Sequence, residues 1–234
     1  RNNTTMSEFT TQLDSLELET GKNPTHAVIW LHGLGADGND FAPIVPELNL
    51  APNPQIRFVF PHAPVMPVTI NQGMQMRAWY DIKDSDIGRR EDENGLRQSE
   101  QIIRALIARE NARGIPSHNI ILAGFSQGCA MTLQTGLRLE EQLAGLLCLS
   151  GYLPLAEMVE AERHPANQDT PIFMAHGTQD PVVSIERAKA SCEQLQQLGY
   201  NIEWKNYGMP HSVCLDEIRD IARFFARNFT AHAA

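Results

Sequence analysis

Short apolar runs alternate with longer amphipathic stretches along this chain. The first strong run, residues 27–32, is continuously apolar up to His32, as expected of a parallel strand covered on both faces. Further runs at 56–60, 119–123, 144–150, 172–176 and 201–207 read as strands. Between them, Ile102, Ile103, Leu106 and Ile107 form one stripe of a helix over about 92–112, which Gly114 ends. Residues 184–198 and 214–229 read as two more helices, the last with Ile218, Ile221, Ala222 and Phe225 at i, i+3, i+4 and i+7 spacing. Asn39 or Asp40 can cap a short helix reaching Leu48, with Pro43 in its first turn and Pro46 curtailing it. This alternation, without repeats or low-complexity linkers, predicts a doubly wound α/β fold with a mainly parallel central sheet and helices on both faces.

Two stretches break the rhythm. Residues 61–81 carry Val65, Met66, Val68, Ile70, Met74, Met76 and Trp79 without regular periodicity. A long irregular connection in a compact domain is often a functional loop or lid, and these side chains could line a groove for a flexible apolar chain. The equally weighted alternative is a loop tucked onto the core. Residues 84–94 are charged and turn-like, a solvated connection.

The bulk numbers narrow the class. A chain of 234 residues suffices for one substantial core, placed at 26–230 behind a polar N-terminal segment at 1–25. Met6 reads as the natural start, the residues before it as an added remnant, and the segment as flexible and no signal peptide. A formal net charge of −9 and a pI near 5.3 argue against nucleic acid as a partner. Apolar runs fall well short of the ~20 residues that span a bilayer, so no stable membrane insertion is expected. Cys129, Cys148, Cys192 and Cys214 are widely separated and form no ligand cluster; they fit a reduced, cytoplasmic location, with Cys148 and Cys192 as small core residues.

Candidate chemistry starts at Gly124-Phe125-Ser126-Gln127-Gly128, which follows an apolar run and precedes helix-compatible residues. A strand, a tight turn and a helix match a nucleophile elbow, where a strained turn lifts the serine hydroxyl above the sheet. The alternative, an ordinary glycine-rich turn, is disfavoured by that context. A serine hydroxyl needs a general base and a third group that orients it. In α/β hydrolases they follow in the order Ser, Asp or Glu, His. Of the later histidines, His164 lies in an irregular acidic stretch, His232 in an Ala-rich tail, and His176 at the buried end of a strand. His211 sits in a loop that can overhang the C-terminal sheet edge, and Asp180 follows the preceding strand at the same edge. Asp169 lies at the strand's other end, and Asp216 and Asp220 on the last helix. The oxyanion calls for two backbone N–H donors, from Gln127 after the nucleophile and Leu34 in the loop after the first strand. His32 closes that strand and reads as structural.

Together with residues 30–35, 78–82, His176-Gly177 and Asp180, and His211, these features resemble the acyl-protein thioesterase and bacterial carboxylesterase family, over about 27–229. The resemblance implies an α/β-hydrolase fold and a serine esterase that cleaves carboxylic esters and acyl thioesters through an acyl-serine intermediate. It implies a Ser126, Asp180, His211 triad, an oxyanion hole from Leu34 and Gln127, an acyl groove bordered by 64–79, and no metal or cofactor. The implied partners are a small ester or acyl-chain substrate or an acylated protein, and an apolar lid could pair two copies. A lysophospholipase and a catalytically silent binding protein are the alternatives. The chain departs from the family's usual residues at Cys129, at Arg77-Ala78 before Trp79 and at Pro210. Arg77 bears on substrate preference more than on chemistry.

Overall fold

The structure, a computed structural model, describes residues 13–84 and 90–229. The readings of an N-terminal remnant, of the tail with His232 and of 85–89 in the charged connection lie outside the described residues. In chain order the elements are β1 (Ser15–Glu19), β2 (His26–Leu31), α1 (Ile44–Glu47), β3 (Ile56–Pro61), β4 (Val65–Val68), β5 (Met74–Arg77) and α2 (Glu93–Ala112). They continue with β6 (Ile120–Phe125), α3 (Gln127–Gly136), β7 (Gly145–Leu149), α4 (Val159–Glu162), β8 (Ile172–Gly177), α5 (Ile185–Gln197), β9 (Ile202–Tyr207) and α6 (Leu215–Asn228).

Seven strands form one sheet in the order β1-β3-β2-β6-β7-β8-β9, parallel except for the antiparallel edge strand β1. Because side chains alternate across a strand, the runs that look uniformly apolar split between two cores. Ala27, Ile29 and Leu31 of β2 join Leu96 and Ile103 of α2, the buried helix α3 and Leu195 of α5. Val28 and Trp30 join Ile44 of α1 and Ile218, Ile221, Phe224 and Phe225 of α6 on the other face.

Three local expectations change. The segment expected to be a polar lead contributes β1: Leu16 and Leu18 pack against the second core, while Glu17 and Glu19 pair with Arg113 and Arg57. Apolar and acidic residues alternate there because the strand lies at the edge, with one wet face. The helix expected over 39–48 is one turn, Ile44–Glu47, as its two prolines restrict it. Residues 61–81 hold a separate two-stranded hairpin, β4–β5, with Val65 opposite Arg77 and Val68 opposite Met74. Strands of four residues interrupted by Pro67 are too short to show a period of two.

Candidate active site

The turn between β6 and α3 carries Ser126 in a backbone conformation of φ 59° and ψ −115°, strained for a residue with a side chain. The Ser126 N–H donates to the Leu149 carbonyl oxygen at 2.8 Å, fixing the turn against β7. A Cβ at Gly128 would lie 2.1 Å from the Leu31 carbonyl oxygen, so only glycine lets α3 start this close to β2. Ser126 thus stands at the N-terminus of a ten-residue buried helix, whose positive dipole end favours negative charge developing there.

Asp180 and His211 come from the loops after β8 and β9. The Asp180 side chain is fully buried and, among the described residues, has no Lys or Arg within ion-pair distance. Its Oδ1 accepts from the Val182 and Val183 N–H groups at 2.8 and 2.9 Å. Its Oδ2 lies 2.6 Å from Nδ1 of half-buried His211. Hydrogen bonds of this charge-assisted kind, about 1.5–3 kcal/mol each, offset the cost of burying a carboxylate. A carboxylate only accepts, so Nδ1 carries the hydrogen, and in the neutral imidazole the lone pair is then on Nε2. The imidazole packs on Phe125, the residue before Ser126, with ring centroids 4.7 Å apart. The two loops are joined by Thr178 N–H to the Tyr207 carbonyl at 2.8 Å and Gln179 N–H to the Met209 carbonyl at 3.1 Å.

The loop after β2 lies against the serine, since a Cβ at Gly33 would sit 3.3 Å from Ser126 Cβ. His32 holds this loop, the structural role its position suggests. Its Nε2 accepts from the Ala63 N–H at 2.9 Å and its Nδ1 donates to the Gly33 carbonyl at 2.7 Å. Burial keeps its pKa below the ordinary imidazole value, so the ring stays neutral and can accept at one nitrogen while donating at the other. Gly35 N–H donates to the Arg77 carbonyl at 2.8 Å, tying the loop that contains Leu34 to the hairpin.

Two residues expected in the acyl groove are elsewhere: Val68 and Trp79 are fully buried. Trp79 is a buttress, its Nε1 donating to the His32 carbonyl at 2.9 Å and its N–H to Gln127 Oε1 at 2.7 Å. Met66 and Met76 are half-buried, Ile70 and Met74 exposed, and the Met76 sulfur lies beside Gly35. The Gln127 side chain also donates to the Tyr80 carbonyl at 2.7 Å. Sequence reasoning assigned only its backbone, because a contact across 47 residues leaves no local pattern. A cavity of about 530 Å³ lined by His26, Leu50, Pro54, Ile56, Phe225 and Phe229 opens at the opposite sheet edge and takes no part in this site. Among the described residues no metal-ligand cluster occurs, and no helix is long and apolar enough to cross a membrane.

Glu217, in the first turn of α6 beyond His211, is buried, and no side chain among the described residues pairs with its carboxyl group. Burial pushes its pKa from 4.5 up to about 8, the Cys214 backbone offsetting only part of the shift. The folded state therefore holds this proton more tightly than the unfolded chain. Its contribution to stability is full below pH 4.5 and is lost as pH rises to about 8. Glu217→Gln is expected to raise the melting temperature at pH 9 by about 4 °C or more, an advantage that shrinks toward pH 5. Calorimetric melts at the two pH values check it.

A largely parallel sheet with helices on both faces, a strained serine between strand and helix, and an Asp–His pair at the same edge define an α/β-hydrolase-fold serine hydrolase. The chain belongs to the phospholipase/carboxylesterase family, whose pattern matches residues 15–229, from β1 to the residue after α6. It is 38% identical to acyl-protein thioesterase 1 of Yarrowia lipolytica over 87% of this chain and 92% of the relative. It is 41% identical to acyl-protein thioesterase 1 of Neurospora crassa over 86% of this chain and 85% of the relative. Among solved structures, Arabidopsis thaliana SOBER1 superposes with a TM-score of 0.83 at 32% identity, covering 88% of this chain and 99% of that one.

Proposed function

We propose that this hydrolase cleaves carboxylic esters and acyl thioesters through an acyl-serine intermediate, with Ser126 as nucleophile, His211 as general base and Asp180 as its orienter. The observation that carries the reading is the 2.6 Å Asp180–His211 pair packed on Phe125 beside the strained serine. His211 Nε2 takes the serine proton as Oγ attacks the carbonyl, and Asp180 holds the imidazolium that forms. The backbone N–H groups of Gln127 and Leu34 receive the oxyanion, each donor being worth about 10²–10³ in rate. His211 then protonates the leaving alcohol or thiol and activates the water that releases the acid, restoring Ser126.

The substrate is a small ester or the acyl chain of a modified protein, the latter supported by the acyl-protein thioesterase relatives. Met66, Ile70, Met74 and Met76 of the hairpin offer the acyl chain an apolar border. Fluorophosphonate labelling tests the reading. One adduct at Ser126 by peptide mass, absent after Ser126→Ala, is expected; folded protein that takes no label would make it a silent binding protein. A p-nitrophenyl ester series set beside S-acyl peptides and lysophospholipids then ranks acyl length and leaving group.

A further inference from the structure

His176 ends β8 and is 1% exposed. Its Nε2 lies 2.7 Å from the Val183 carbonyl oxygen. A carbonyl only accepts, so this nitrogen carries a hydrogen. The same Nε2 is 3.4 Å from Asp180 Oδ2, the oxygen that accepts from His211. Val183 in turn gives its N–H to Asp180 Oδ1. The imidazole therefore closes the turn that carries the acid, bridging its start at β8 to its end at Val183. Gly177, next along, has room for no Cβ, which would meet the Met209 and Pro210 carbonyl oxygens at 2.3 Å. The segment leading to His211 thus lies directly on the end of β8, beside the same histidine. His176 at the end of β8 and His211 in the loop after β9 thus both face Asp180 Oδ2. The charged and titratable groups acting on the His176 ring are Asp180, His211 and Glu186, and burial dominates them, holding its pKa below the ordinary value and the ring neutral.

We infer that His176 is a positioning residue for the Asp180–His211 pair, its Nε2–H holding the Val183 carbonyl and turning a partial positive charge toward Asp180 Oδ2. The inference rests on the triad proposed above. With that N–H removed, the 177–183 turn loses its closure and the Asp180 carboxylate shifts relative to His211. The imidazolium formed during serine attack is then less well held. The chemical step slows, and ground-state binding is untouched.

His176→Phe keeps an aromatic ring without the N–H, and His176→Gln restores a side-chain N–H donor. The Phe variant is expected to lower kcat by about 10- to 100-fold, because small misplacements of reacting groups have effects of this size. KM should stay within about twofold, as for an interaction made in the transition state. The Gln variant should recover most of kcat. A Phe variant with the parent's kcat overturns the assignment. So does equal impairment of both variants, which would mean that the ring only fills space. If the Phe variant does not fold, folded His176→Gln decides alone: kcat within about tenfold of the parent supports the role, and a larger fall overturns it. His211→Ala separates the two claims. Hydrolysis surviving that change would sink the triad, whereas its loss beside a parent-like His176→Phe would sink only the role of His176.

Discussion

Ser126→Ala lowers kcat for ester hydrolysis by about 10⁶-fold, the size of effect seen when the nucleophile of a serine triad is removed. In the mechanism we propose, the Ser126 hydroxyl forms the acyl bond, so without it His211 and the Gln127 and Leu34 N–H groups have no covalent intermediate to stabilise. A residue of about 10³–10⁴ over the uncatalysed rate persists from binding and the oxyanion donors. Stopped assays with p-nitrophenyl butyrate and a matched S-acyl peptide measure the loss. Folding should be retained, since the turn is held by backbone contacts, Ser126 N–H to Leu149 and the close approach of Gly128 to Leu31, that the substitution leaves in place. A variant that keeps more than about a hundredth of parental kcat would mean that the nucleophile lies elsewhere.

Asp180→Asn should lower kcat by about 10⁴-fold with little change in KM, and the reason is tautomeric rather than steric. Oδ1 must remain an acceptor for the Val182 and Val183 N–H groups. The new amide therefore points its NH₂ at His211 Nδ1, where Oδ2 stood at 2.6 Å. His211 answers by accepting at Nδ1 and carrying its hydrogen on Nε2, the nitrogen that has to take the serine proton. The amide also faces the Nε2–H of His176, donor against donor, at the position of a former 3.4 Å contact. Steady-state kinetics over pH 6–9 check the fall, which more alkaline pH should not rescue, because the wrong tautomer is neutral. Activity within tenfold of the parent would remove Asp180 from the proposed mechanism.

Alternation of buried strands and amphipathic helices could be read from the chain because each element announces its own period. The boundaries of α2, α5 and α6 fall within a residue or so of the periodic stretches, with Asp92 and Ser184 as side-chain caps of the first two. The candidate triad could be proposed from the chain because the order Ser, acid, His leaves His211 as the loop histidine after Ser126 at the serine's sheet edge, with Asp180 after the strand before it; Asp180 Oδ2 lies 2.6 Å from the His211 ring. Elements with weak periods could not be read. The edge strand β1 has five residues and one wet face, and the β4–β5 hairpin has four per strand, so both pass for polar or irregular chain.

What the sequence by itself determined was thus the chemistry available and its order: a serine between strand and helix, an acid and a base following two later strands, and a glycine loop after an early one. Only the tertiary structure decided which apolar residues border the site and which support it. Trp79 and Val68 are as hydrophobic as Met74, yet they are buried and Met74 is exposed, because burial depends on what the hairpin folds against. Trp79, the Gln127 side chain, His32 and His176 serve through hydrogen bonds that span up to 48 residues or close a turn. Such bonds are set by the meeting of elements in space, and the spacing of residues along the chain carries no trace of them.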